Sequence, residues 1–131
     1  MMVDAHVWRS LGGFDERFFM YAEEVDLCKR IADAGGTLVI DPRIQMLHDS
    51  GSGVQRTPSR MLNRARGDAT FYNKHYGPLH SVLCKTLLWL YAASRELYGR
   101  VSGRADYAAS FGAVVRQPSV WWSGWSTEPH R

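Results

Sequence analysis

The pattern of apolar and polar positions predicts two helices separated by an aromatic turn in the first third of the chain. Asp4 is placed to cap a short helix, AHVWRSL, which the pair Gly12 and Gly13 would end. The turn FDERFFMY follows, and a longer helix is predicted over about 22–34, ending at a second glycine pair. Acids crowd the first turn of this helix, where the helix dipole favours negative charge.

Short strands are predicted next, and helices after them. TLVI, residues 37–40, has the composition of a buried strand, and RIQML, residues 43–47, alternates apolar and polar side chains like a second one. HDSGSGVQRTPS is a Gly- and Ser-rich loop of the kind that carries functional residues. From residue 58 the apolar spacing is helical, over about 58–75, 79–98 and 105–116.

Composition limits the class of protein. With 131 residues, 45% hydrophobic and 22% charged, the chain matches a globular protein and not a disordered one. No apolar run approaches the ~20 residues that span a bilayer, and the N-terminus lacks the pattern of a signal peptide. Cys28 and Cys84 lie far apart and are interpreted as reduced thiols. We therefore expect a cytoplasmic location.

The net charge of +3 conceals an uneven distribution. Residues 1–53 have a net charge of −4, and residues 54–131 have a net charge of +7. The acidic part suits cations or hydroxyl groups, and the basic part suits phosphates, anionic lipid or nucleic acid. Because the sequence contains no zinc-ligand spacing, RNP-like motif or convincing helix-turn-helix, nucleic acid is not expected as a partner.

One acid of the predicted helix over 22–34 stands apart from the others. At about 100° per residue, the apolar stripe of this helix falls within about 60° of Glu24 (Leu27, Cys28, Ile31). We therefore expect Glu24 to face the core, as a desolvated carboxylate suited to act as general base for a hydroxyl. Glu23 lies at the border of the stripe and is the second candidate catalytic carboxylate. The alternative is that both glutamates are ordinary helix-start acids, as Asp26 is expected to be an ordinary partner of Arg30.

The segment that contains these acids resembles part of a known protein family. The segment WRSLGGFDERFFMYAEEVDLCKRIADAGG, followed by a strand, a proline and MLHDSGSG, resembles the C-terminal part of family 2 glycosyltransferases, with the rhamnosyltransferase-like members most similar. The family pattern is G-G-F-D-E, F-F-x-Y, E-D-x-D-L-x-x-R, and then a histidine before a Gly/Ser loop. The similarity is strong over residues 1 to about 60 and looser through FYNKHYG.

The resemblance implies an α/β fold of the GT-A type, the fold of this family's nucleotide-sugar domain. Residues 1–57 would be the C-terminal half of that catalytic domain, with short strands plus helix, and residues 58–131 a basic α-helical extension. The implied reaction is inverting transfer of a sugar from a nucleoside-diphosphate sugar to a hydroxyl of a saccharide or lipid-linked acceptor, in cell-wall polysaccharide or glycolipid synthesis. Glu24 matches the family's catalytic base, which is an aspartate there, so the base here is one methylene longer.

Other residues take roles by the same resemblance. Asp15 and Tyr21 would shape the acceptor site, and Arg56 would contact phosphate. His48 follows Ile44 and Met46 at a period of two, so its ring would project from the end of the predicted strand. It matches a family histidine that helps to hold a divalent metal, Mg²⁺ or Mn²⁺, at the sugar diphosphate. The alternative for His48 is a surface histidine or one that caps a loop.

The sequence departs from the family pattern in two further ways, and it contains one motif similar to that of another enzyme class. Family members supply metal ligands from a D-x-D motif, and no D-x-D occurs in this sequence. The family pattern also begins well upstream of MMVDAHVW, so the chain resembles about half of an enzyme, and we expect a missing N-terminal half or a partner that replaces it. DSGSG is similar to a serine-protease motif, but His48 is too close to Ser50 for the usual triad.

The basic second half supports an alternative function. Its longest predicted helix mixes leucines and aromatic residues with spaced bases, so it would lie flat on an anionic membrane surface or pack against another domain. The chain would then be a non-catalytic remnant that binds a partner or a membrane, peripheral on the cytoplasmic face. The tryptophans near the C-terminus would either stack on sugars or cover a hydrophobic edge (Trp121, Trp122, Trp125).

Overall fold

The computed structural model describes residues 1–45 and 56–125, and within these ranges the regular structure is entirely helical. The helices are α1 (Ala5–Ser10), α2 (Glu23–Asp33), α3 (Pro58–His75), α4 (Pro78–Val101), α5 (Ala105–Arg116) and α6 (Pro118–Trp121). The bounds of α1 to α5 lie within a few residues of the helices predicted from the sequence, and those predictions are confirmed, whereas α6 was not predicted. The division of the chain into domains at residues 57 and 58 stays a prediction.

Local capping explains why the helices begin where they do. The Asp4 side chain accepts hydrogen bonds from the backbone N–H groups of His6 at 2.8 Å and Val7 at 3.1 Å, as the sequence predicted. Thr57 caps α3 in the same way, accepting from the N–H of Arg60 at 3.3 Å. Proline follows in the first turn of α3, where its missing N–H has no helical partner to lose.

The core lies among α3, α4 and α5, with α6 closing one end. Small residues on α3 and α4 let the helices approach closely, and larger side chains fill the centre (Ala65, Ala69, Ala92, Phe111, Val114, Trp121). Trp121 is completely buried, and its indole N–H donates to the carbonyl oxygen of Val114 at 2.9 Å. The C-terminal tryptophan run therefore contributes a core side chain, which favours the edge-covering interpretation for Trp121.

The pair α4–α5 is held by close backbone contact and by a charge cluster. Gly99 faces α5 so closely that an added Cβ would lie 2.8 Å from the Cβ of Tyr107. The nearby carboxylate of Glu96 is buried and accepts from Arg100 on its own helix and from Arg116 on α5, each at 2.5 Å. Burial raises the pKa of Glu96, but these two hydrogen bonds outweigh it and keep the pKa below the ordinary value.

The aromatic turn before α2 packs directly on α3. Tyr21 and Ala22 both adopt positive φ, at 67° and 69°, a left-handed backbone that costs a non-glycine residue about 1 kcal/mol or more. Gly67 of α3 lies under this turn, and a Cβ there would come within 2.9 Å of the carbonyl carbon of Tyr21. At the other side of the turn, the Trp125 indole N–H donates to the carbonyl oxygen of Met20 at 3.1 Å. The turn is therefore held between α3 and the C-terminal segment.

The predicted α/β fold is wrong for the described part of the chain. Residues 37–40 form no strand, and their apolar side chains are exposed, with Ile40 95% accessible. Residues 43–45 are also irregular, and the rest of the predicted strand over 43–47 lies outside the described residues. A strand is stabilised by hydrogen bonds to a neighbouring strand, and residues 1–45 and 56–125 contain none to pair with. The GT-A architecture implied by the resemblance is therefore not what residues 1–45 and 56–125 adopt.

Candidate functional site

A buried ion-pair network, centred on Asp26, joins α2 to α3. The Asp26 carboxylate is fully buried and accepts from Arg30 Nε at 2.8 Å, Lys74 Nζ at 2.5 Å and His75 Nε2 at 2.7 Å. Arg30 extends the network to the turn after α1 by donating to the carbonyl oxygens of Leu11 at 2.8 Å and Gly13 at 2.6 Å. The expected Asp26–Arg30 pair is thus confirmed, but its buried position was not foreseen.

The network keeps Asp26 ionised. Burial raises the pKa of Asp26, but the hydrogen bonds from Lys74, His75 and Arg30 outweigh burial and hold the pKa below its ordinary value of 3.8. An ionised carboxylate that is shielded from water and held by three donors is not accessible to a substrate. Asp26 therefore has a structural role in holding α2 on α3.

The structure reverses the orientation that the helix wheel gave to the two glutamates. Glu24 is exposed, so the prediction that it faces the core is wrong, while Glu23 is half-buried. The Oε2 atom of Glu23 is buried without a hydrogen-bond partner among the described residues. The buried face of α2 runs through Asp26, Leu27 and Ile31, so it is centred about 90° away from the apolar stripe on which the wheel relied. The catalytic roles given to both glutamates stay predictions.

Of the two residues predicted to shape an acceptor site, Asp15 joins the Asp26 network through Lys74, and the Tyr21 side chain contacts Arg60 of α3. Asp15 accepts from Arg17 at 2.7 Å and from Lys74 at 2.6 Å, and chiefly the Arg17 hydrogen bond lowers its pKa well below the ordinary range. The hydroxyl of Tyr21 accepts a long hydrogen bond, 3.5 Å, from Nε of Arg60. Asp15 is occupied by two cations, whereas the Tyr21 hydroxyl retains a proton to donate.

Arg56 stands at the mouth of a cavity between α3, α4 and α5. The cavity has a volume of about 370 Å³, and its floor is apolar (Met61, Ala65, Leu88, Ala92, Phe111, Val114). Three exposed arginines stand at the mouth: Arg56, Arg64 and Arg95. Arg56 lies 4.3 Å from the centroid of the Tyr107 ring, and Arg95 lies 5.2 Å from that of Tyr91. None of the three arginines forms a salt bridge with a carboxylate in the described part of the chain.

Glu24 lies close to this cavity. Asp68 lines the cavity wall, and burial raises its pKa. The positive charge of Arg64 opposes that rise, and the negative charge of Glu24 adds to it. Because a charge acts on a carboxyl group only over a short range in a protein surface, Glu24 belongs to the same local region as the arginine-lined cavity. Of the predicted site residues, Arg56 lines the cavity, and Glu24 is linked to it through its electrostatic effect on Asp68.

The described residues offer no donor set for the predicted divalent metal. His48 lies outside the described residues, and 1–45 with 56–125 contain no group of three His, Cys, Asp or Glu side chains able to hold a metal ion. The buried carboxylate of Asp26 already accepts hydrogen bonds from Arg30, Lys74 and His75. The metal and the role of His48 stay predictions.

Sequence reasoning missed the cavity although it noticed part of its lining. Of the residues that line it, only Arg56 was assigned a role from the sequence. The i,i+4 pairs Arg64–Asp68 on α3 and Tyr91–Arg95 on α4 were a local signal, since such pairs share one helix face. Which faces meet depends on how the helices pack, and the spacing within each helix does not contain that information.

The longest apolar helix does not reach the requirements of a membrane span. In the portions of the chain that the structure describes, α4 included, no helix is both long enough and apolar enough to cross a bilayer.

Comparison with known proteins finds one kind of relative. Over 62 residues the chain is 39% identical to N-acetylglucosaminyl-diphospho-decaprenol L-rhamnosyltransferase of Mycobacterium tuberculosis, in both strain CDC 1551 / Oshkosh and strain H37Rv. The match covers 47% of this chain and 20% of each relative, so the matched part corresponds to about a fifth of the relatives' length. No protein-family model matches the chain, and no solved structure matches it significantly. The partial match supports a relationship to glycosyltransferases.

Proposed function

We propose that this chain acts in glycosyl transfer, moving a sugar from a nucleoside-diphosphate sugar to a hydroxyl of a saccharide carried on a lipid diphosphate. The observation that carries the proposal is the 39% identity over 62 residues to an L-rhamnosyltransferase whose name specifies a diphospho-decaprenol acceptor. The family 2 assignment and the inverting course rest on the motif resemblance alone.

In the proposed step, Glu24 is the general base. Its carboxylate takes the proton of the acceptor hydroxyl while that oxygen forms a bond to the anomeric carbon. The bond from that carbon to the nucleoside diphosphate breaks, the diphosphate leaves with the electron pair, and the anomeric configuration inverts. Exposure at the start of α2 makes Glu24 accessible to an acceptor, and its closeness to the arginine-lined cavity supports this role.

The test compares Glu24→Gln with the unaltered protein, using the longest product that the gene encodes. The substrates are nucleoside-diphosphate L-rhamnose and N-acetylglucosamine on a short polyprenyl diphosphate. Because glutamine has the same shape but accepts no proton, we expect turnover to fall about 100-fold or more, with donor binding unchanged.

Glu16→Gln, on the aromatic turn at an exposed position, is the control and is expected to retain turnover. Glu23→Gln completes the set, because that residue is the second candidate carboxylate. Unchanged turnover in Glu24→Gln would remove the base assignment, and absence of any sugar transfer by the unaltered protein would remove the proposed function.

A second candidate function, attachment to an anionic membrane surface, is favoured by one face of α4. Six exposed apolar side chains recur along this helix at intervals that keep them on one side (Leu79, Leu83, Leu87, Leu90, Leu97, Val101). The acid of α4, Glu96, is buried and paired with two arginines, so it presents little negative charge. Arg95 and Arg100 are exposed on the flanks of this helix, and an exposed leucine face with cations at its flanks is complementary to anionic lipid headgroups.

Sedimentation with vesicles tests the membrane surface. We expect the chain to bind vesicles of mixed phosphatidylglycerol and phosphatidylcholine. Leu90→Glu is expected to weaken this binding about tenfold, because it places a charge where the leucine side chain would enter the membrane surface. Leu38→Glu is the matched control, since Leu38 is 52% exposed and Leu90 is 51% exposed. Equal weakening by both variants, or no binding to these vesicles, would contradict a specific role for α4.

A further inference from the structure

The cavity between α3, α4 and α5 combines two surfaces that are seldom found together. Its mouth carries the guanidinium groups of Arg56, Arg64 and Arg95, and its interior is lined by alkyl and aromatic side chains together with the carboxyl group of Asp68. The volume of about 370 Å³ lies at the lower end of the ~300–1,000 Å³ that small-molecule sites usually have. A ligand that fits both surfaces has a strongly anionic end and a short apolar part.

The arginines are available for an anion. Arg56 and Arg95 each lie over a tyrosine ring, a cation–π contact that uses no N–H group of the guanidinium as a hydrogen-bond donor to an oxygen or nitrogen. Planar N–H donors of this kind bind phosphate oxygens in pairs. Because no carboxylate in the described chain forms a salt bridge with these arginines, an incoming phosphate displaces no existing ion pair.

The apolar floor of the cavity suits a phosphate compound with an alkyl or isoprenoid chain better than a nucleotide. Phe111, Ala65, Ala92 and Val114 are buried and present no polar side-chain group that could recognise a nucleobase. The exposed faces of the two tyrosine rings are partly covered by arginines, so they are not open platforms for base stacking. An alkyl or isoprenoid chain satisfies such a floor by burying apolar surface alone.

We propose that this cavity binds the diphosphate and the first part of the tail of an isoprenoid-diphosphate lipid, with Arg56, Arg64 and Arg95 holding the diphosphate. The proposal rests on the proposed function, for which it supplies the binding site of the acceptor lipid. Asp68 on the cavity wall is within electrostatic range of Glu24, so an acceptor bound at this cavity would have the proposed base in its vicinity.

The tail has a route out of the cavity. At about 100° per residue, Tyr91 on the cavity wall is adjacent on α4 to the exposed apolar face that includes Leu87 and Leu90. The cavity holds only the beginning of a long polyprenyl chain, and the remainder would continue along this face. The cavity together with the apolar face of α4 would accept a long lipid, because the cavity needs to enclose only the first part of the tail.

Calorimetric titration with three probes tests the proposal. Geranyl diphosphate carries both the anion and a short isoprenoid tail, inorganic diphosphate has no tail, and uridine diphosphate has a nucleoside in its place. We expect geranyl diphosphate to bind at least about tenfold more tightly than either of the others, since only it fills the apolar floor. Equal or tighter binding of inorganic or uridine diphosphate would overturn the isoprenoid assignment, and absence of geranyl diphosphate binding would overturn the site.

Two variants locate the binding, and a third serves as a matched control. Arg56→Gln and Arg95→Gln each remove a charged donor from the mouth, and each is expected to raise the Kd of geranyl diphosphate about tenfold or more. Arg104→Gln is the control, because Arg104 also lies 4.3 Å from the Tyr107 centroid, as Arg56 does, but does not line the cavity.

All three residues are exposed, and circular dichroism of each variant verifies the fold. Equal effects of Arg104→Gln and Arg56→Gln, or no effect of either cavity variant, would overturn the location. These are binding measurements, so they can succeed where sugar transfer is absent, and they can fail where Glu24→Gln abolishes transfer. A failure of this inference is thereby distinguishable from a failure of the proposed function.

Discussion

Asp26→Asn is expected to lower the free energy of unfolding by about 3 kcal/mol. The substitution removes the negative charge around which Arg30, Lys74 and His75 are gathered at 2.5–2.8 Å, and it leaves their donors at a fully buried position. Loss of one partner from a buried ion pair is more costly than loss of a surface pair because the remaining charges cannot regain water. Urea unfolding followed by far-UV circular dichroism measures the difference.

Asp33→Asn is the matched control on the same helix. Asp33 pairs with Lys29 four residues earlier, but its side chain is 56% exposed, so we expect a change within about 0.5 kcal/mol. A loss in Asp26→Asn no larger than that of the control would show that the network does not hold α2 on α3.

The pH dependence of stability provides a second control for Asp26→Asn. Because the pKa of Asp26 is lower in the folded chain than its ordinary 3.8, its contribution to stability is present above pH 3.8 and is lost as the pH falls through the folded pKa. The difference between the unaltered protein and Asp26→Asn is therefore expected to be constant from about pH 7 to 5 and to narrow below about pH 4. A difference that widened in acid would contradict the ionised state of Asp26.

Trp121→Ala is expected to destabilise the chain by about 3–5 kcal/mol. Trp121 is the largest completely buried side chain, and it packs with Ala69 of α3 and Val114 of α5 in the core. Truncation to alanine removes most of that apolar contact and leaves a void that rigid helices fill poorly. It also leaves the carbonyl oxygen of Val114 without its indole donor.

Trp121→Phe separates packing from hydrogen bonding. Phenylalanine keeps an aromatic ring in the core but has no N–H group, so a loss of about 1–2 kcal/mol is expected. Both variants are measured by urea unfolding followed by far-UV circular dichroism, because the tryptophan fluorescence itself changes. A loss below about 1 kcal/mol in Trp121→Ala would show that α6 does not belong to the cooperative core.

The helices could be predicted from the sequence because their limits are local. Asp4 and Thr57 cap the start of a helix, and the glycine pairs end one, each within a few residues of its own position. Local spacing and capping were therefore enough to predict where the helices lie. The strand predicted at residues 37–40 depended instead on a neighbouring strand that the described chain does not contain. An apolar run has strand composition whether or not it has a partner, and composition alone therefore gave the wrong fold class.

The candidate site was predicted only in part because its geometry depends on contacts between distant segments. The helix wheel assigned the buried side of α2 from apolar residues, but Asp26 is buried by partners on α3, Lys74 and His75, about fifty positions along the chain. Glu24 is exposed for the same reason. Arg56 was linked to phosphate by resemblance, and packing of α4 against α3 was needed to bring Arg95 beside it.

The uncovered run at Leu38, Val39 and Ile40 has a consequence for how this chain behaves at high concentration. Three adjacent branched side chains that meet water can pair through their main chain with the same run of another molecule, and a short apolar segment without charge or proline is the usual starting point for such growth. Self-association at high concentration is therefore expected to begin at this segment and not at the helical core, and Asp41 and Pro42, which follow it directly, limit how far such pairing extends.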